Sequence, residues 1–185
     1  MAENTSALTD AVRAMIGVTA EKVEASLWGI EREGLRRFTQ AIMDPDPRYW
    51  DDAFAKTTRY GGIVAPPIYC TYLTSRMAPG EDDDVTRAFR DNPNSDGTGD
   101  IRLFRRGALP KIPTDLKRRL NAGNEIELLK YPTLGDMIYS QAKYANIVER
   151  VGKDGTRMLI VTSEIAYTDQ NGVKLCVIRQ SSIIR

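Results

Sequence analysis

The sequence has no histidine among its 185 residues. That removes the commonest general base near neutral pH and the commonest metal ligand. Ser-His-Asp and Cys-His triads are excluded within the chain. Cysteine is nearly absent too: Cys70 and Cys176 are the only two, and without histidine they make no tetrahedral zinc site. Both sit among apolar residues, which reads as two buried free thiols of a cytosolic protein. No apolar run approaches the ~18 residues of a membrane span. The N-terminus, MAENTSALTD, is polar and acid-bearing, unlike a secretory signal. A cytoplasmic location is therefore expected. Neither sign of charge dominates; a net charge of +1 gives no global reason to expect nucleic acid or an anionic membrane as partner. Gly97 and Gly99 form only a G-x-G, with no strand before it and no helix after it, so no dinucleotide site is read there. No metal or separate cofactor is expected.

What is present is the composition of an ordinary globular domain, 42% apolar and 28% charged. The length suits one domain over residues 1–185. The C-terminal third is the clearest part. Met137 to Val151, Thr156 to Thr168 and Val173 to Ile184 are runs rich in Val, Ile, Thr and Tyr, separated by KDG and QNG. Asp-Gly and Asn-Gly are hairpin-turn dipeptides. Leu159, Val161, Ile165 and Tyr167 fall on one parity, as expected of strands with one buried face. The pattern predicts a three-stranded antiparallel meander. A fourth strand is expected at Glu125 to Lys130, with YPTLGDM (Tyr131 to Met137) turning into the meander.

The N-terminal half reads differently. Thr9 or Asp10 caps a short helix through Ile16, stopped by Gly17. Val23 to Ile30 is expected as a strand. Leu35, Phe38, Ala41 and Ile42 recur at helical spacing over Arg32 to Met43. Pro47 to Ala55 gives a second short helix, with Pro47 in its first turn. Pro66 and Pro67 open a third, Ile68 to Met77, apolar on most sides and so buried. Residues 78–122 are expected to be irregular: PGEDDD and DNPNSDGTGD are polar, rich in Gly, Pro and Asp, and without period. The acidic run Glu81 to Asp84 reads as a solvated stretch. The order of elements predicts an α+β domain, a curved antiparallel sheet wrapped around one central helix.

The segments EREGLRRFTQAIMDPDPRYWDDAFAKTTRYGGIVAPPIY and SEIAYTDQNGVKLCVIRQSSII resemble the MaoC-like hydratase/dehydratase family of the hot-dog fold. The resemblance is to the degenerate N-terminal, FAS1-like dehydratase type within it, and it covers the chain except for residues 78–122. In catalytic members a G-D-x-N-P-L-H pattern and a later A-H-G open the site. The Asp and His activate water for addition to a 2,3-enoyl thioester, and the last Gly donates its N–H to the thioester oxygen. Carried over, the Asp is Asp44 and the second proline is Pro47. The His position holds Tyr49, and A-H-G becomes Ala65, Pro66 and Pro67. A tyrosine with its ordinary pKa near about 10 is a poor base at neutral pH. Proline has no N–H to donate. The resemblance thus implies no catalytic residue, only degenerate positions at Asp44, Tyr49 and Pro67. Asp44 and Tyr49 as a different acid/base couple is the alternative to a purely structural role, in which Asp44 ties the Pro45 to Tyr49 turn.

By the same resemblance Tyr60, Gly61, Gly62, Ile63 and Val64 border an acyl tunnel, although the glycines also suit backbone shape alone. The basic residues Arg102, Arg105, Arg106, Lys111, Lys117, Arg118 and Arg119 cluster before the sheet. Coenzyme A phosphates suit Arg and Lys, with Arg105 and Arg106 the candidates, and a solvated cluster is the alternative. The implied function is a noncatalytic, acyl-accommodating subunit of a heteromeric enoyl-CoA hydratase or 3-hydroxyacyl dehydratase. It would take a long-chain or bulky acyl-CoA, such as a steroid side-chain thioester, with coenzyme A present only as part of the substrate. Its partner would be a short MaoC-like chain carrying the Asp and His, in a heterodimer or heterotetramer. The competing readings are a stand-alone homodimeric hydratase or thioesterase using Asp44, and a non-enzymatic acyl-CoA-binding module.

Overall fold

A computed structural model of the chain describes residues 6–73, 80–94 and 107–185. Five strands form one antiparallel sheet: β1 (Val23–Glu24), β2 (Arg119–Leu128), β3 (Tyr139–Val151), β4 (Arg157–Thr168) and β5 (Lys174–Ile184), in the order β1-β3-β4-β5-β2. The expected meander is present. Its turns are held by acids: Asp154 accepts from the Thr156 amide and hydroxyl, and Asp169 from the amides of Asn171 and Val173. These side chains supply the bonds that tight turns leave unmade. The parity holds as well. Ile165 lies opposite Ile178, which lies opposite Ile126, and Val161 lies opposite Ile147.

Short helices contribute buried residues to the core on the inner face of the sheet, giving the α+β arrangement: α1 (Asp10–Arg13), α2 (Arg32–Ala41), α3 (Asp52–Thr57) and α4 (Tyr69–Tyr72); a fifth, α5 (Asp84–Asp91), joins neither core cluster. Leu35, Ile63, Tyr69, Cys70, Ile138, Cys176 and Ile178 make one buried cluster. Val12, Ile112, Tyr144, Ile147, Leu159 and Ile184 make a second at the other end of the sheet. Within α2 the expected stripe is visible: Leu35 and Thr39 are buried, while Arg36 and Arg37 both pair with Glu33 outside. Among the described residues no helix is long and apolar enough to cross a membrane.

Several boundaries differ from expectation. The strand expected over Val23 to Ile30 is only Val23–Glu24. Beyond it Ser26 spends its hydroxyl on the Trp28 carbonyl, a local bond that competes with a sheet ladder. The single helix expected over Pro47 to Ala55 is a 3-10 turn (Pro47–Tyr49) followed by α3. The break comes from Asp51, whose carboxylate accepts from the amides of Ala53 and Phe54 and so caps a new helix. The helix expected over Ile68 to Met77 is described only as Tyr69–Tyr72, with Leu73 leaving helical geometry (ψ 68°); residues 74–79 lie outside the described part. The stretch expected to be irregular holds α5, capped by Asp83 of the acidic run. It also holds the first residues of β2, which begins at Arg119 rather than Glu125. A bulge between Asn121 and Gly123 hides that strand's alternation.

The N-terminal segment is tied down by one carboxylate. Glu149 on β3 accepts from Ser6 Oγ at 2.7 Å, the Ala7 amide at 2.8 Å and Arg157 at 2.8 Å. The Ser6 bond, then those from Ala7 and Arg157, holds its carboxyl down at about 2. An unfolded Glu titrates near about 4.3. The stabilisation is therefore complete above that value and is lost as the pH falls toward about 2. Glu149→Gln is expected to lower the melting temperature near neutral pH and to flatten its decline on acidification. Thermal melts taken across the acid range check this, and an unchanged acid slope would contradict it.

Candidate functional site

The Asp44–Pro67 segment runs along one end of the sheet. The Asp44 carboxylate accepts from the Asp46 amide at 3.1 Å, tying the turn at its start. Asp46 caps the following 3-10 turn through the Arg48 amide and pairs with the Arg48 guanidinium. Tyr49 is buried. Burial, and after it the neighbouring Tyr131, push its phenol up to about 12 against the opposing pull of Arg48. It therefore keeps its proton at neutral pH and is no general base. Farther along, the Val64 amide donates to the Arg48 carbonyl and the Ala65 amide to the Pro132 carbonyl. These bonds lay the segment against the Tyr131 turn. Pro67 precedes α4 and offers no N–H. Its carbonyl faces the Cys176 thiol at 4.0 Å. Cys70 and Cys176 are both buried free thiols. The contact with Cys176, and then burial, hold the Cys70 thiol in its protonated form.

Next to this segment an open groove of about 490 Å³ is lined by Arg59, Tyr60, Leu128, Leu129, Lys130, Tyr131 and Thr133. Its wall is a chain of rings and cations. Tyr60 and Tyr131 meet edge to face at 5.1 Å. The Arg59 guanidinium lies 5.0 Å from the Tyr60 ring centre and donates to the Tyr60 hydroxyl at 2.9 Å. Arg48 lies 5.7 Å from the rings of both Tyr49 and Tyr131. Lys130 is half-exposed and reaches the buried Asp169 at 3.5 Å. Aromatic faces beside cations, together with Leu128 and Leu129 in the same lining, suit a ligand that is partly apolar and partly anionic.

Of the residues expected to border a tunnel, Tyr60 lines this groove. Gly61 has a φ of +70°, which favours glycine, and a Cβ at Gly62 would meet nothing within 4 Å. Ile63 and Val64 are both buried, Ile63 in the main core and Val64 bridged to Thr133, because the segment turns inward to join the sheet. Arg105 and Arg106 lie outside the described residues. Sequence reading missed Arg59, Leu128 to Tyr131, and Thr133. The only signal for them was that YPTLGDM had to turn beside the sheet.

β2 closes the groove on one side. It pairs with β5 alone, and among the described residues its other edge carries no strand. All ten of its residues are exposed. A long open strand edge is a template for pairing with another chain.

Comparison with known proteins agrees with this architecture. A UPF0336 protein of Thermobifida fusca is 25% identical over 139 residues, 75% of this chain and 73% of that protein. A UPF0336 protein of Streptomyces avermitilis is 37% identical over 49 residues, a match spanning 26% of this chain and about a third (33%) of that relative. Among solved structures, the ChsH1-ChsH2 complex from Mycobacterium tuberculosis is similar with a TM-score of 0.65 at 17% identity, covering 95% of this chain and 94% of that one. A MaoC-like dehydratase from Rhodospirillum rubrum gives 0.56 at 16%, covering 91% of each chain. The C-terminally truncated HadBC (3R-hydroxyacyl-ACP dehydratase) complex from Mycobacterium tuberculosis gives 0.56 at 15%, covering 91% of this chain and 96% of that one. At these identities the structures establish the hot-dog fold. The sequence model described as FAS1-like, dehydratase domain region matches residues 14–177, and the chain belongs to that family.

Proposed function

We propose that this chain is the noncatalytic, acyl-accommodating subunit of a heteromeric enoyl-CoA hydratase or 3-hydroxyacyl dehydratase. A short MaoC-like partner carrying the Asp and His performs the chemistry. The observation that carries this reading is the pair of lost groups at the motif positions. Tyr49 is a buried phenol held protonated, and Pro67 lacks the N–H that would receive enolate charge. Asp44 is engaged by the Asp46 amide, which speaks against a stand-alone enzyme built on it. The groove beside this motif supports substrate binding: Leu128 and Leu129 suit an acyl chain, and Arg59 and Lys130 suit coenzyme A phosphates. The open edge of β2 is where a second hot-dog would extend the sheet. No cofactor beyond the coenzyme A of the substrate is invoked. The substrate is a long-chain or bulky acyl-CoA, a steroid side-chain thioester among the candidates.

The test is hydration of a long-chain 2-enoyl-CoA by the purified chain, alone and with the small MaoC-like chain that copurifies with it from the native host. The pair is expected to exceed the chain alone by at least about 10³-fold, the combined scale of a missing base and a missing oxyanion donor. Turnover by the chain alone equal to that of the pair would overturn the reading.

A further inference from the structure

The outward face of the sheet carries a row of alternating charge that runs to the open edge. Lys143 on β3, Glu164 on β4, Arg179 on β5 and Glu125 on β2 are direct cross-strand partners and so share one face. The contacts are Lys143 to Glu164 at 2.8 Å, Arg179 to Glu164 at 3.3 Å, Arg179 to Glu125 at 3.4 Å and Arg179 to Glu127 at 3.0 Å. The bond from Lys143, more than that from Arg179, keeps Glu164 below the usual carboxylate range. Two cations thus serve three carboxylates, and the surplus negative charge lies at the edge, where the side chains of Glu125 and Glu127 are 72% and 49% exposed. On the inward face of the same strand Ile126 and Leu128 are 39% and 38% exposed, with Ile178 and Cys176 behind them.

A second copy of this chain is a poor occupant of that edge. The outward residues of β2 are Leu120, Gly123, Glu125 and Glu127, with no cation among them. Arg118, one residue before the strand, meets Glu127 of a second copy in one antiparallel register only, and in that register Glu125 faces Leu120. Like charges facing across strands are destabilising, and acids at an edge discourage self-pairing. We propose that Glu125 and Glu127 select the partner: the free edge of β2 takes a strand of a non-identical chain that presents lysine or arginine outward and apolar residues inward. This rests on the heteromeric reading above and adds to it the residues that refuse a homodimer. Charge at such an edge acts through exclusion of the wrong partner as much as attraction of the right one.

The test uses only copies of this chain, so it stands or fails separately from the search for a catalytic partner. Sedimentation equilibrium is measured on the wild type, on Glu125→Gln/Glu127→Gln, and on an equimolar mixture of wild type with Glu125→Lys/Glu127→Lys. The neutralised variant is expected to self-associate at least about tenfold more tightly than the wild type, an effect that added salt shrinks. The mixture is expected to form a dimer that neither component forms alone. A wild type that dimerises as tightly as the neutralised variant would overturn the proposal, as would a mixture no more associated than its folded components. Should the charge-reversed variant lose its native circular dichroism, the neutralised variant alone decides.

Discussion

Gly29→Ala is expected to cost about 3 kcal/mol of stability, the upper part of the range for forcing a methyl into packed surroundings. For a domain of this size that lowers the melting temperature by on the order of 6–12 °C. The cause lies in the backbone. A Cβ on Gly29 would sit 2.7 Å from the Gly135 carbonyl oxygen, 3.0 Å from its carbon and 3.3 Å from the Asp136 oxygen. Nothing there swings aside, because the two strips are bonded to each other. The Ile30 amide donates to Asp136 and the Gly135 amide to Ile30. Asp136 is itself fixed by the Thr133 amide and hydroxyl and by Gln170. The damage would therefore reach the Tyr131–Asp136 turn, which also forms part of the groove. Gly62→Ala is the control, since its Cβ would meet open space and its backbone is not left-handed; its effect is expected within about 0.5 kcal/mol. Parallel thermal melts of the two variants check the contrast. Equal melting temperatures would mean that the approach of Gly29 to Gly135 is not a constraint.

Gly29 also shows where the sequence stops being readable. The meander was legible because alternation and turn dipeptides are local signals, and Asp154 and Asp169 act within a few residues of themselves. The cap of α1 by Thr9 was legible for the same reason. The N-terminal half of β2 was not, because the bulge after Asn121 interrupts the two-residue period. The split at Asp51 was hidden because the aspartate that caps α3 also fits inside a longer helix as a charged surface residue. Close approach of Gly29 to Gly135 joins segments more than a hundred residues apart, and no local pattern records it.

The candidate site divides along the same line. Resemblance located Asp44, Tyr49 and Pro67, and elementary chemistry removed the last two: a phenol is a poor base and a proline amide has no hydrogen. What the residues alone did not supply is the direction of the shift at Tyr49. Burial and Tyr131 move it away from neutrality, so the pocket does not rescue it as a base. Nor did they supply the groove, whose two halves, Arg59–Tyr60 and Leu128–Thr133, are far apart in sequence and are joined by the Tyr60–Tyr131 ring contact, the Val64–Thr133 bridge and the bond from Ala65 to Pro132.

Arg59→Glu is expected to weaken binding of a long-chain acyl-CoA by about tenfold or more, the scale of one charge-assisted hydrogen bond lost to an anion. Lys130 shares its charge with Asp169, whereas among the described residues Arg59 meets a neutral ring and hydroxyl and no carboxylate, which leaves its charge for a ligand. Reversing Arg59 removes that attraction and sets a carboxylate beside the incoming phosphates. It also removes the cation from the Tyr60 ring, leaving the aromatic wall less fixed. Arg150→Glu is the matched control. It makes the same change in net charge on an exposed residue near the far end of β3, where screening limits its reach to about 10 Å. Titration calorimetry at low and moderate salt separates the two. A Kd that rises for Arg59→Glu alone, and more at low salt, supports the groove as the anion-facing site. An equal rise for both variants would assign the effect to net charge, and no rise for either would remove Arg59 from the substrate's path.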